Sequence, residues 1–184
     1  VHRRAHGRGR QGVRGGTSEA EGGVTGGARG GAAGSYAASL GIDALLAEPE
    51  RYLGAGRRVA LLANQASLTS AGVPTLEAVR RAEGIELVSL LTPEHGFSGY
   101  EDDATPIGDR RDPRTGLELQ SLYGPRRRPT PATLARVDAV VIDLQDVGVR
   151  CYTYPTTAAL VCEVSAEAGK RVVLCDRPNP LGPL

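Results

Sequence analysis

Residues 87 to 99, an apolar run that breaks off into a polar turn, read Leu87-Val88-Ser89-Leu90-Leu91-Thr92-Pro93-Glu94-His95-Gly96-Phe97-Ser98-Gly99. The apolar run has the length of a buried β-strand, and Pro93 ends it because proline has no N–H to donate to a sheet. Gly96 and Gly99 favour a turn, since glycine adopts backbone angles that are closed to other residues. The carboxyl group of Glu94 and the imidazole of His95 are therefore predicted at the end of a strand.

Apolar runs and helical patterns alternate on both sides of this strand. Buried strands are predicted at residues 58–63, 85–91, 137–144 and 171–175, with a shorter strand at 117–123. Helices are predicted from about residue 40 to Pro49, at 74–83 and at 155–168, with a helical turn at 131–136. Such alternation is typical of βαβ units, so we expect an α/β fold with a parallel sheet and helices on both faces.

Two segments lack these patterns. Residues 99–116 are rich in Asp, Arg, Pro and Gly and predict a long loop, which inside a compact domain is often functional. Residues 1–34 hold 12 of the 25 glycines and carry a net charge of +4, against −3 for residues 35–184. Because the first segment has almost no large apolar side chains to offset the entropy of ordering, we predict a disordered Arg/Gly-rich tail over residues 1–38.

Composition limits the class of protein. The 184 residues are 40% hydrophobic and 23% charged, which is ordinary for a globular domain. No apolar run approaches the roughly 20 residues that a membrane-spanning helix needs, so no membrane span is predicted. The cysteines are an odd number without metal-ligand spacing and lie in or beside apolar elements, which predicts buried free thiols at Cys151, Cys162 and Cys175.

A glycine pattern in the tail matches a dinucleotide-binding fingerprint in spacing alone. The segment Gly7-Arg8-Gly9-Arg10-Gln11-Gly12 fits G-x-G-x-x-G, but no strand pattern precedes it and no helix pattern follows. Weak attraction of the tail to nucleic-acid phosphates is one alternative, and a tail without a binding role is favoured over it. No specific nucleic-acid partner is predicted, and the tail contains no apolar segment typical of a signal peptide.

Polar pairs follow four of the predicted strands: Asn64-Gln65, Glu94-His95, Gln145-Asp146 and Asp176-Arg177. Because the carboxyl ends of parallel strands lie along one edge of a sheet, we expect these pairs to converge there. Glu94 and Asp146 are candidates for glycoside hydrolysis, which needs an acid and a second carboxylate roughly 5 to 10 Å apart. His95 can act as an acid or a base, but a single histidine makes a poor metal site, and no cofactor is predicted.

Structural roles compete with these functional ones. Asn64 and Asn179 suit a helix cap or a turn as well as they suit a site. Arg150 can pair with Asp146, and such an ion pair alone says little about function. Asp143 lies within a predicted buried strand, which favours a structural role.

Several motifs occur together and in order over about residues 40–184. They are Pro93-Glu94-His95-Gly96, Ser121-Leu122-Tyr123-Gly124, Asp143-Leu144-Gln145-Asp146-Val147-Gly148-x-Arg150-x-Tyr152-Thr153-Tyr154 and Asp176-Arg177-Pro178-Asn179-Pro180-Leu181-Gly182. In these motifs the chain resembles the NamZ-like exo-β-N-acetylmuramidases, also known as the DUF1343 family. Asn64-Gln65 fits the same family, although Ala66-Ser67 stands where Thr-Gly is common. The resemblance implies a Rossmann-like domain whose cleft accepts the non-reducing end of peptidoglycan-derived saccharides, from which the family hydrolyses a terminal β-linked N-acetylmuramic acid.

The resemblance also implies roles for individual residues. Glu94 matches the principal catalytic group, with Asp146 as an orienting or second carboxylate and His95 beside them. The implied substrate-binding residues are Asn64, Arg150, Tyr152, Tyr154, Asp176 and Asn179. Of these, Arg150 is suited to the lactyl carboxylate of muramic acid, which a guanidinium can hold through two hydrogen bonds. The two tyrosines suit core packing as well as sugar binding.

Members of that family continue well beyond the Asp-Arg-Pro-Asn-Pro-Leu-Gly motif. We therefore expect residues 39–184 to be an incomplete catalytic domain that lacks a second, C-terminal domain and by itself binds substrate poorly and does not hydrolyse it. Two other functions stay open: a non-catalytic sugar-binding or scaffold remnant, and a nucleotide-binding Rossmann domain. Asn64-Gln65-Ala66-Ser67 counts against the nucleotide hypothesis, since a glycine-rich loop is needed there. The implied substrate points to the cell envelope or the outside of the cell.

Overall fold

The computed structural model describes residues 39–96 and 110–182. Its strands are β1 Arg58–Ala63, β2 Glu86–Thr92, β3 Arg110–Arg111, β4 Glu118–Ser121, β5 Ala139–Asp143 and β6 Arg171–Leu174. Its helices are α1 Gly41–Ala47, α2 Pro49–Leu53, α3 Thr75–Arg81, α4 Pro131–Ala135 and α5 Tyr154–Glu167. The predicted tail at 1–38 and the glycine turn at Gly99 lie outside the described residues.

The described strands form one sheet in the order β3-β4-β2-β1-β5-β6. All neighbouring pairs are parallel except the edge pair of β3 and β4. The five parallel strands thus follow the Rossmann order, in which successive strands are added outward from β1 first on one side and then on the other. The order reverses between β1 and β5, and in such sheets ligands bind beyond the carboxyl ends of the strands at that point. The predicted α/β fold is confirmed.

Alternate residues of β1 belong to two separate hydrophobic clusters. Val59, Leu61 and Ala63 pack with residues of α1, α2 and α3. Ala60 and Leu62 pack with residues of α4 and α5 on the opposite face. All five side chains are fully buried. A strand covered on both faces needs an unbroken apolar run, which is why β1 has no polar alternation and why helices on both faces were predictable.

Two short elements differ from the sequence-based prediction. The segment Pro49–Leu53 forms a separate helix, α2, beyond the predicted end of the first helix at Pro49, and Pro49 fits its first turn because the missing N–H would have no helical partner there. Strand β3 lies in the predicted loop 99–116 and pairs Arg110 with Leu119 and Arg111 with Glu118. Both arginines are exposed, so no apolar pattern marks this strand. The remainder of that loop up to residue 109 falls outside the described ranges.

No helix within residues 39–96 or 110–182 is both long and apolar enough to cross a membrane.

Candidate active site

A cavity of about 230 Å³ lies at the carboxyl edge of the sheet. Its walls come from the ends of β1 and β2 and from the segment that leads into α5. The lining residues are Gln65, Glu94, His95, Cys151, Tyr152, Thr153 and Tyr154. The structure therefore brings together four of the predicted site residues, namely Glu94, His95, Tyr152 and Tyr154.

The turn after β2 places Glu94 in this cavity. Pro93 is buried and its carbonyl accepts a hydrogen bond from the Gly96 N–H at 3.2 Å, which closes the predicted turn. His95 and Gly96 both adopt left-handed backbone angles, with φ of 67° and 68°. Such a conformation is easy for glycine, whereas for histidine it costs about 1–3 kcal/mol, a kind of strain that is concentrated at functional sites.

Thr153 provides the hydrogen bond that Glu94 makes within the described residues. Its hydroxyl donates to Glu94 Oε2 over 2.7 Å, although the two residues are 59 positions apart in sequence. Thr153 directly precedes α5, so it links the end of β2 to the start of that helix. In the sequence, Thr153 is recognisable only as part of the Tyr152-Thr153-Tyr154 motif, and no role was predicted for it.

The two tyrosines of that motif have different surroundings. Their rings meet edge to face, with centroids 5.3 Å apart and an interplanar angle of 84°. Tyr154 is 5% exposed, and burial raises the pKa of its phenol while hydrogen bonds with the side chains of Asn64 and Gln65 lower it in part. Tyr152 is 41% exposed. Tyr154 is therefore a packed part of the wall, whereas much of the Tyr152 ring is exposed.

Asn64 extends the connection between β1 and β5 beyond the strands. Its side chain is buried, accepts from the Gln145 N–H at 3.4 Å and donates to the Gln145 carbonyl at 3.3 Å. The Ser67 hydroxyl lies 2.7 Å from the same amide oxygen. These contacts favour the structural alternative for Asn64, which holds the two strand ends together where the sheet order reverses.

Asp146 does not line the cavity that contains Glu94. It lies instead at a neighbouring groove of about 350 Å³, most of whose lining is apolar side chains of β5, β6 and α5. One carboxylate oxygen accepts from the Gly148 N–H at 2.9 Å, and the other, Oδ1, is buried without a hydrogen-bond partner among described residues. Arg150 is exposed and forms no ion pair with Asp146. The role of Asp146 as a second carboxylate stays a prediction.

Asp176 and Asn179 also lie outside the lining of the Glu94 cavity. The Asn179 side chain accepts from the Leu181 N–H at 3.0 Å, as a turn residue does. It also packs on Gly148, where an added Cβ would come within 2.3 Å of the Asn179 amide nitrogen. Asp176 accepts from the neighbouring Arg177 N–H at 3.0 Å. Both side chains serve the loop after β6, and their binding roles stay predictions.

A buried ion pair fixes that loop to the end of β5. Arg177 donates to both carboxylate oxygens of Asp143, over 2.6 and 2.7 Å, and the two side chains are 5% and 0% exposed. Arg177 also donates to the Leu68 carbonyl at 2.6 Å, and the Thr75 hydroxyl donates to Asp143 at 2.5 Å. Because both charges are hydrogen-bonded on several sides, burial is tolerated. The predicted structural role of Asp143 is confirmed.

The cysteines are free but unequal. Cys175 is buried, Cys162 is half-buried and Cys151 is exposed. The prediction of a buried thiol is wrong for Cys151, because the segment from Val149 to Thr153 leaves the sheet and runs along the cavity. Within the described ranges, no three His, Cys, Asp or Glu side chains are grouped closely enough to hold a metal ion.

The connection after β1 differs from a nucleotide-binding loop. Residues 64–74 separate β1 from α3, and Leu68 forms a bridge with Pro74 within them. A dinucleotide site requires a short glycine-rich turn that leads the first strand straight into a helix N-terminus. The geometry counts against the nucleotide hypothesis.

Comparison with known proteins places these residues in a family. A family model described as exo-β-N-acetylmuramidase NamZ, N-terminal, matches residues 59–184. A protein of Bacillus subtilis (strain 168) named peptidoglycan β-N-acetylmuramidase NamZ is 37% identical over 142 residues. That alignment covers 77% of this chain and 34% of the relative, so the chain spans about a third of the relative's length.

Two crystal structures of DUF1343 family proteins from Bacteroides fragilis NCTC 9343 share the fold. The first has a TM-score of 0.69 at 36% identity and is matched over 79% of this chain and 36% of that one. The second has a TM-score of 0.58 at 27% identity, with coverage of 77% and 35%. The family model spans more than half of the residues, and the relatives agree with it in sequence and in fold. The chain therefore belongs to the NamZ family of exo-β-N-acetylmuramidases and corresponds to the N-terminal part of its members.

Proposed function

We propose that Glu94 is the catalytic carboxylate of a glycosidase that removes terminal N-acetylmuramic acid from peptidoglycan fragments. The observation that carries the proposal is the position of Glu94, in a cavity at the carboxyl edge of a Rossmann-like sheet in a chain of the NamZ family. The relative from Bacillus subtilis is named for this activity, which supports the same substrate class here.

The surroundings of Glu94 suit a general acid and base. One carboxylate oxygen, Oε2, is held by Thr153, and the other makes no hydrogen bond to a residue of the described ranges. That second oxygen can give a proton to the leaving glycosidic oxygen and take one from water, which is the chemistry that glycoside hydrolysis needs. Asp146 faces the adjacent groove, so we assign it an orienting role for the loop 146–148.

Neighbouring side chains suit recognition of the sugar. The exposed ring of Tyr152 offers an apolar surface for a pyranose, and His95 lies beside Glu94 in the same wall. Arg150 is exposed two residues before Tyr152, and its guanidinium can hold a lactyl carboxylate through two hydrogen bonds. In the relatives the matched region is about a third of the polypeptide, and we propose that their remaining part closes over this cavity.

The proposal is tested by comparing two chromogenic substrates with the intact protein. An N-acetylmuramide and an N-acetylglucosaminide differ only in the lactyl ether, so a muramidase releases the chromophore from the first and much less from the second. Release from the glucosaminide at an equal or higher rate would contradict the assignment. Binding of muramic acid without any release would favour the sugar-binding remnant instead.

A further inference from the structure

Thr153 occupies the position at which a threonine normally caps a helix. A capping hydroxyl accepts a hydrogen bond from the second or third backbone N–H of the helix. The Thr153 side chain makes no such bond to α5. Pro155, the second residue of that helix, has no N–H to give. Thr153 also has helical backbone angles, φ −93° and ψ −10°, whereas a capping residue is normally extended, and its hydroxyl donates to Glu94 instead.

We propose that Thr153 is a positioning residue that holds the carboxylate of Glu94 in its reactive orientation. This inference rests on the proposed function, because it concerns the same carboxylate. A glutamate has three rotatable side-chain bonds, and the turn after β2 fixes only its backbone. A single hydrogen bond of 2.7 Å to Oε2 restricts those rotations and directs Oε1 away from Thr153.

Thr153 is itself well held. Its carbonyl accepts from the Thr157 N–H at 3.0 Å and from the Thr157 hydroxyl at 3.3 Å. A β-branched side chain also has few rotamers, so the Thr153 hydroxyl has little freedom to turn away. In the sheet, β2 and β5 lie on opposite sides of β1, and α5 follows β5 in the chain, so this bond ties the Glu94 orientation to the packing of both halves of the sheet.

Two substitutions separate positioning from packing. Thr153→Val keeps the shape and removes the hydroxyl, and Thr153→Ser keeps the hydroxyl. On the chromogenic muramide we expect kcat of Thr153→Val to fall about 10- to 100-fold, as for loss of a hydrogen bond to a charged group, with KM within about twofold. Thr153→Ser should retain at least about a third of wild-type kcat. A Thr153→Val enzyme with near wild-type kcat, or a serine variant as impaired as the valine variant, would overturn the inference.

A crystal structure of Thr153→Val gives a second readout that does not depend on activity. We expect the Glu94 carboxylate to leave its wild-type position or to adopt several rotamers, while the backbone of residues 92–96 stays in place. An unchanged, ordered Glu94 side chain would overturn the inference. If the wild-type protein releases nothing from the muramide, the proposed function fails, and this structural comparison still decides whether Thr153 positions Glu94.

Discussion

Tyr152 and Tyr154 share one wall of the cavity, yet their environments give them different chemistry. Tyr154 is 5% exposed and packs within the wall, and burial raises the pKa of its phenol. Tyr152 has 41% of its surface exposed and presents an apolar ring to whatever enters. At the scale of single residues, we therefore propose that Tyr152 contributes to ground-state binding of a sugar.

Replacing Tyr152 by Ala should raise KM for the muramide about 10-fold. Covering about 50 Å² of ring at about 25 cal/mol per Å² gives about 1.3 kcal/mol, close to a tenfold change in affinity. We expect little change in kcat, because the ring contacts ground state and transition state alike. Steady-state kinetics measure both constants, and Tyr152→Phe, which keeps the ring, is the matched control. An unchanged KM in the alanine variant would exclude this ring from the sugar site.

The cysteines allow a check that needs no substrate. Burial, followed by the nearby charge of Asp143, raises the pKa of Cys175 to about 12. At pH 8 only about one thiol in 10,000 is then the reactive thiolate, and access is closed as well. With a thiol reagent and mass-spectrometric mapping, we expect exposed Cys151 to be labelled at least 100-fold faster than Cys175 in the native protein. Equal labelling rates before unfolding would show that the end of β6 is not packed as described.

At the scale of single residues, the position of Glu94 could be predicted from the sequence, whereas its hydrogen bond from Thr153 could not. Glu94 was predictable at a strand end because Pro93 and Gly96 stop the strand locally. The bond from Thr153 was not, since it depends on how β2 and α5 pack and no local pattern records it. The strain at His95 was hidden for the same reason, because a left-handed histidine leaves no mark in composition.

At the scale of elements, the Asp143–Arg177 pair joins the loop after β6 to the end of β5. Removing the cation would leave a fully buried carboxylate with an unmet charge. The loop so anchored packs Asn179 against Gly148 and places the Pro178 carbonyl 3.3 Å from the Gln145 side-chain amide. The pair thus holds the loop after β6 against the loop after β5, next to the candidate site.

Arg177→Met should lower the free energy of unfolding by about 3–5 kcal/mol, the usual effect of breaking a buried pair. The matched control is Arg58→Met, which removes an ion pair with Asp138 whose side chains are 48% and 30% exposed. Solvent screens that pair, so we expect a much smaller loss than for Arg177→Met. Urea denaturation followed by circular dichroism measures both values. Equal losses in the two variants would show that the buried pair contributes no more to the free energy of unfolding than the exposed one.

Elements covered on both faces were the most predictable ones. The bounds of β1 follow from its run of residues 58–63, because every position between Val59 and Ala63 must be apolar. Helix α2 and strand β3 were missed, since they are five and two residues long and bury little. Short elements of this kind are fixed by their neighbours rather than by their own sequence.

At the scale of the whole molecule, the sheet order explains where the site lies. The alternation of strands and helices predicted a parallel sheet and hence a common carboxyl edge, and the structure places Asn64, Glu94 and Gln145 there. The separation of Glu94 from Asp146 into two cavities was not predictable. Strand order fixes which edge a residue occupies, whereas the direction of Asp146 is set by its own hydrogen bond to the Gly148 N–H.

Glu94 is proposed here as the group that acts on the glycosidic bond. The most direct test of this proposal is turnover of the chromogenic muramide by Glu94→Gln, which keeps the shape of the side chain and removes its capacity to exchange a proton. Glu86→Gln is the matched control, because Glu86 is exposed at the opposite end of the same strand. We predict that kcat/KM falls at least about 100-fold for Glu94→Gln and stays near wild type for Glu86→Gln, with similar melting temperatures. Near wild-type turnover by a folded Glu94→Gln protein would show that Glu94 is not the catalytic carboxylate.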